Sequence, residues 1–137
     1  THYLRGGYYF QIERGNSFLA GGFFGPNAQD LLHVRNQISQ YPDPLVQILA
    51  DKDFDNYFGG LKGEKVKTSP KGFSQEDEAI DLIRHKQFYV EHSFSDKEVL
   101  AKDFMIKLND GFLRLKPFFD YMSEILTTDL NGESLVD

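Results

Sequence analysis

Lysines gather around one proline–glycine loop, and that loop poses the first chemical question. Lys62, Lys65, Lys67 and Lys71 surround Pro70 and Gly72, with Arg84 and Lys86 close behind in the chain. Ammonium groups beside free backbone N–H groups can hold a phosphate or a carboxylate. Lys67, Lys71, Arg84 and Lys86 are therefore the candidate anion-binding residues. The same cations can equally form a solvated face in an acidic domain. Pro70-Lys71-Gly72 also lacks the strand, glycine loop, lysine and helix order of a phosphate-binding loop.

His92 is the candidate for proton transfer. Its alternation with Phe88, Val90 and Phe94 places it on an apolar strand face, where an imidazole near Glu13 or Glu91 could act as acid or base. A hydrogen-bonded core histidine fits the same pattern. Tyr9, Gln11, Glu13, Phe18, Ala20 and Phe24 share a mixed hairpin face that could line a cleft or meet another layer, and Tyr9 and Gln11 are candidates to line a pocket there together with the lysine loop. The four histidines, His2, His33, His85 and His92, show no close metal-ligand spacing. Neither a metal site nor a cofactor signature is expected, and no nucleophile elbow or dinucleotide fingerprint is present.

These residues need elements to position them. Gly7 to Phe24 reads as a β-hairpin about Gly15-Asn16, pairing Ile12 with Leu19, Phe10 with Gly21 and Tyr8 with Phe23. One face is then almost wholly apolar. Asn27 caps a helix to about Tyr41, with Leu31, Val34, Ile38 and Tyr41 as its inner stripe. Asp43-Pro44 opens a second helix with Leu45, Ile48 and Leu49 inward. A short turn around Phe54, Tyr57 and Phe58 ends at Gly59-Gly60, and residues 61–73 read as a short strand and a loop. Ser74 caps a further helix, acidic in its first turn and closing on Arg84-His85-Lys86. Phe88–Phe94 alternates as a strand. Ser95 and Glu98 form a capping box. Leu108, Phe112, Leu115, Phe119, Met122 and Leu126 form a long helical stripe that Pro117 should kink or split near Leu113.

Composition bounds the answer. With 137 residues and 40% hydrophobic content, one core is expected, over residues 1–126, followed by a frayed polar tail at 127–137. Thirteen phenylalanines and seven tyrosines make ring packing its main source of cohesion. The chain has no cysteine, which excludes disulfides and thiolate chemistry and suits a reducing cytoplasm. A net charge of −6 disfavours nucleic acid, although aromatic rings beside lysines could stack on bases. No apolar run approaches the roughly 20 residues that cross a bilayer, so no membrane partner is expected.

Several ordered blocks carry a resemblance. Gly7-Tyr8-Tyr9-Phe10-Gln11-Ile12-Glu13, Ser17-Phe18-Leu19-Ala20-Gly21-Gly22 with Pro26, Lys67-Thr68-Ser69-Pro70-Lys71-Gly72-Phe73, Ala79 to Val90 and Leu115-Lys116-Pro117 follow one another along the chain. Together they resemble the conserved hypothetical bacterial proteins of domain-of-unknown-function family 2461, from about Gly6 to Leu126. The pattern departs at Gln11, Arg14 and Lys71, where the family usually has histidine, proline and arginine. The resemblance implies that this chain corresponds to the C-terminal part of a longer protein, and it brings no activity. An uncovered hairpin would then favour a homodimer through that hairpin.

The fold expected is α+β, an antiparallel β-sheet with helices packed mainly on one face. The leading functional expectation is a soluble, non-catalytic binding or interaction module of unknown ligand. The alternative is an enzyme acting on a small anionic or phosphorylated substrate, with Lys67 and Lys71 holding the anion and His92 or Glu13 moving protons.

Overall fold

Alternation of rings with small residues builds a three-stranded antiparallel sheet in the order β1-β2-β3, formed by β1 (Gly7–Gln11), β2 (Ser17–Phe23) and β3 (Phe88–Phe94). Among the described residues, six helices accompany it: α1 (Ala28–Gln40), α2 (Asp43–Ala50), α3 (Lys52–Phe58), α4 (Ile80–Ile83), α5 (Asp96–Leu100) and α6 (Phe104–Thr127). The computed structural model describes residues 7–127, so the expected tail beyond Thr127 lies outside the described residues. The α+β class holds.

Strand parity divides the sheet into two unlike faces. Leu19, Gly21 and Phe23 of β2 align with His92, Val90 and Phe88 of β3, and with Phe10 and Tyr8 of β1. Helix α6 lies on this face, close enough that a Cβ on Gly21 would sit 2.3 Å from a Leu115 methyl. Phe23, Phe88, Val90, Leu115, Phe118, Met122, Val34, Ile38 and Leu45 form the main core. Leu19, Phe94, Phe104 and Leu108 form a smaller one where α6 begins.

The hairpin register differs from expectation by two residues: Phe10 pairs with Leu19 and Tyr8 with Gly21. A five-residue loop, 12–16, replaces the two-residue turn. Ser17 Oγ accepts from the Glu13 N–H and donates to the Glu13 carbonyl, both at 3.0 Å, which ties off the loop early. A slip of two preserves side-chain parity, so the face assignment survives.

The helical layer also differs from expectation at several positions. Tyr41 is 53% exposed because it caps α1 outside the helical conformation. Asp43 is the first residue of α2, with Pro42 at the cap position. Residues 61–73 form only two isolated bridges, Lys62 to Tyr89 and Lys65 to His85. The helix expected from Ser74 shrinks to four residues, Ile80–Ile83. Ser74 Oγ accepts from the Glu76 N–H and Asp77 Oδ1 from the Ala79 N–H, giving the backbone local partners that compete with a helix. The Ser95–Glu98 capping box is present and opens α5. Helix α6 runs unbroken through Pro117. Pro117 and Leu113 are both exposed, so the missing hydrogen bond lies on the solvent side of the helix. The buried face of α6 comprises Leu108, Gly111, Leu115, Phe118, Met122 and Ile125, with Phe112, Phe119 and Leu126 on its flank.

Two polar staples went unread in the sequence. Arg35 on α1 donates from Nε to the Ile83 carbonyl at 2.7 Å and from a terminal nitrogen to the His85 carbonyl at 2.9 Å. His33 Nε2 donates to the Ile125 carbonyl at 2.7 Å, tying α1 to α6. Nothing in local spacing signals such long-range side-chain-to-backbone bonds.

Candidate functional site

The face of the sheet away from α6 carries an aromatic floor. Tyr9 of β1 aligns with Ala20, Phe18 follows on β2, and Tyr89 and Glu91 lie on the same side of β3. Phe24 completes the set just beyond β2. The rings touch in series: Tyr9 to Phe18 at 5.8 Å between centroids, Tyr9 to Phe24 at 5.5 Å, and Phe24 to Tyr89 at 5.1 Å. These separations lie in the range where ring pairs attract. Ala20 sits among them with only a methyl group, which keeps the floor low.

One wall of this cleft is the Gly63-Glu64 segment. It is hung on β3 by the Lys62–Tyr89 bridge, by the Lys86 N–H donating to the Glu64 carbonyl, and by the Glu64 N–H donating to Gln87 Oε1 at 2.8 Å. Gly63 has φ +131°, and a Cβ there would lie 2.2 Å from the Gln87 carbonyl oxygen, so only glycine permits the approach. The cleft encloses about 500 Å³ and is lined by Tyr9, Phe18, Phe24, Tyr89, Glu64, Glu91 and Gln87 with Gly63. Among the described residues, its charged side chains are two carboxylates. Aromatic faces and carboxylates together attract a cation.

The expected site residues divide between this cleft and other places. Tyr9 lines it. Gln11 does not; its Nε2 donates to the Asn16 carbonyl at 2.9 Å and to Glu13 Oε2 at 3.2 Å, inside the hairpin loop. The basic segment contributes Gly63 and Glu64 to the wall, while Lys67 and Lys71 stand exposed outside the lining. Arg84 Nε donates to the Val66 carbonyl at 2.8 Å, and its guanidinium lies 3.8 Å from Asp81. Lys86 lies 4.0 Å from Glu64.

His92 points to the helical face. Its Nδ1 donates to the Tyr57 carbonyl at 2.8 Å, and its ring stacks on that of Tyr57 at 3.7 Å with the planes 8° apart. Phe94 meets it edge-on at 5.0 Å. The guanidinium carbon of Arg114 lies 5.0 Å from the Tyr57 centroid. Burial, aided by the Asp110 charge, pushes the Tyr57 hydroxyl up to about 12. Gly111 is what admits that hydroxyl, since a Cβ there would lie 2.6 Å from it. Among the described residues, no group of three His, Cys, Asp or Glu side chains could hold a metal ion. No helix there is long and apolar enough to cross a membrane.

The family model for conserved hypothetical proteins, DUF2461, matches residues 1–121. The chain belongs to that family. Every residue lining the cleft falls inside the DUF2461 match, and the family's description assigns no activity. Among curated proteins and solved structures, none matches the chain.

His85 adds a pH-sensitive element away from the cleft. It is 3% exposed; Nδ1 donates to the Leu82 carbonyl at 3.0 Å, while Nε2 is buried with no partner. Burial lowers its pKa, and the charges of Lys65 and Arg84 act in the same direction. The native state therefore holds a neutral imidazole, whereas the unfolded chain protonates near the usual 6.5. Stability from this group is complete above pH 6.5 and falls as pH drops from there toward the native pKa, by at most about 1.4 kcal/mol per pH unit. Urea midpoints at pH 7 and pH 6 should show this loss, and His85→Phe should reduce it. An unchanged difference in the variant would assign the loss to other groups.

Proposed function

We propose that this DUF2461 domain is a non-catalytic binding module whose open sheet face receives an organic cation, an ammonium or guanidinium group presented by a small molecule or a peptide side chain. The observation that carries this reading is the series of four touching rings bordered by Glu64 and Glu91, with no cationic side chain among the described residues of the lining. Ring faces present negative potential to a cation, and each such contact adds about 0.5–2 kcal/mol depending on desolvation. Carboxylates at the rim raise the local cation concentration. The packing of His92 against Tyr57, with its Nδ1 bound to a carbonyl, supports a structural duty for the imidazole in place of proton transfer.

Thermal unfolding in the presence of arginine, tetramethylammonium, phosphate and short carboxylates tests the proposal. Ligand at a hundred times its Kd stabilises the native state by about 2.7 kcal/mol. The cations should raise the melting temperature, and Glu91→Gln or Tyr89→Ala should abolish the rise. A response to phosphate alone, lost in Lys67→Ala/Lys71→Ala, would overturn the proposal in favour of an anion site.

A further inference from the structure

We propose that the cation received by the open cleft is one end of a linear diamine or polyamine, whose second ammonium group reaches the carboxylate at the far end of the same cleft. This inference rests on the cation reading above and narrows it to one ligand class. Glu91 and Glu64 do not form a single acidic cluster. Glu91 aligns with Ala20 of β2, whose partner on β1 is Tyr9, and so marks one end of the cleft. Glu64 marks the other, alongside Gln87. It is held there by its own N–H on Gln87 Oε1 at 2.8 Å and by the Lys86 N–H on its carbonyl at 2.6 Å. Gln87 and Glu91 are four positions apart on the extended run that enters β3, a separation of about 13 Å along the strand.

Rings fill the interval between these two ends. Tyr89 stands midway between Gln87 and Glu91, and Phe24 meets it at 5.1 Å between centroids. A methylene stem lies well on ring faces, while a protonated amine at each end meets a carboxylate. A monocation leaves one of the two carboxylates unanswered. The volume points the same way, because about 500 Å³ is the size of a site for a whole small molecule and far exceeds one ammonium group. Lys86 supplies an internal precedent for the Glu64 end, where its ammonium nitrogen lies 4.0 Å from the carboxylate. Both side chains of that pair are exposed, so it costs little for an arriving amine to take the place of Lys86. The extended reach of spermidine approaches the span between the two ends, whereas that of putrescine falls well short of it.

Titration calorimetry of the full chain with butylamine, putrescine and spermidine tests the inference. Spermidine should bind at least about fivefold more tightly than butylamine, the factor that one further exposed ion pair supplies at the upper end of its range. Putrescine should stay close to butylamine. Glu64→Gln and Glu91→Gln should each remove the preference for spermidine. Glu76→Gln, which neutralises an exposed carboxylate outside the cleft, should preserve it. Equal affinities for spermidine and butylamine would overturn the inference while leaving the cation reading in place. Binding of none of the amines would overturn both. A preference that survives in Glu64→Gln and Glu91→Gln would trace it to general attraction by a chain of net charge −6, and would overturn the inference as well.

Discussion

Gly22→Ala should destabilise the domain by about 3 kcal/mol or more, combining left-handed backbone strain with overpacking. Gly22 sits in β2 at φ +136°, a conformation that L side chains rarely adopt. A Cβ there would lie 2.2 Å from the Phe88 carbonyl oxygen, 2.7 Å from the Tyr89 Cα and 2.9 Å from Phe118 Cε2. Two of these neighbours are backbone atoms of the adjacent strand, so no rotamer change relieves the clash, and β2 must part from β3. Because domain stabilities run at about 5–15 kcal/mol, the loss removes a large fraction of the total. Gly7→Ala is the matched control: it lies in β1, at a backbone angle open to any residue, and its Cβ would meet nothing within 4 Å. Urea midpoints should fall sharply for Gly22→Ala and stay nearly unchanged for Gly7→Ala. Equal effects would mean that β2 does not pass this close to β3.

Phe118→Ala should cost about 3–5 kcal/mol, the range for emptying a buried phenylalanine site. Phe118 is fully buried on α6 and contacts Phe54 at 6.2 Å between centroids, while the Gly22 backbone leaves room for its ring. The ring therefore joins α3, α6 and the sheet. Because Gly22 and Phe118 share one contact, their substitutions should be coupled. In the double variant the smaller side chain at 118 makes room near the new methyl, so the combined loss should fall short of the sum. Strict additivity in a double-mutant cycle would contradict their direct packing.

Much of this core was legible in the sequence, for identifiable reasons. Face assignment needed only parity, so Tyr8, Phe10, Leu19, Gly21 and Phe23 were grouped correctly although the hairpin register was off by two. The capping signals at Asn27 and Ser95 involve a side chain and backbone a few residues apart, and both form as read. The segment after Ser74 misled because acidic and basic residues favour helix ends on average. Here Ser74 and Asp77 satisfy nearby N–H groups directly, and Asp77 also accepts a hydrogen bond from Ser39 of α1, a long-range partner. Pro117 does not split α6, since it lies on the exposed side of the helix, where water can serve the carbonyl that loses its partner.

The candidate site was less legible. Hairpin parity placed Tyr9, Phe18 and Phe24 on one face able to line a cleft, but Tyr89 and Glu91 come from β3, which meets the hairpin only in the folded sheet. Lysine abundance between residues 62 and 71 drew attention to an anion, whereas the side chain that this segment places in the cleft is that of Glu64. Strand parity could have grouped Tyr89 and Glu91 with Tyr9. The position of Glu64 depends on Gly63 pressing against Gln87, a contact that alternation does not encode.

Chemical-shift mapping during titration with an organic cation tests the central claim most directly. The account predicts saturable shifts of the Tyr9, Phe18, Phe24, Tyr89 and Glu91 signals on adding arginine or tetramethylammonium, with His92 and Lys67–Lys71 undisturbed. Shifts confined to the Lys67–Lys71 loop, or none in the open face at millimolar cation, would contradict it.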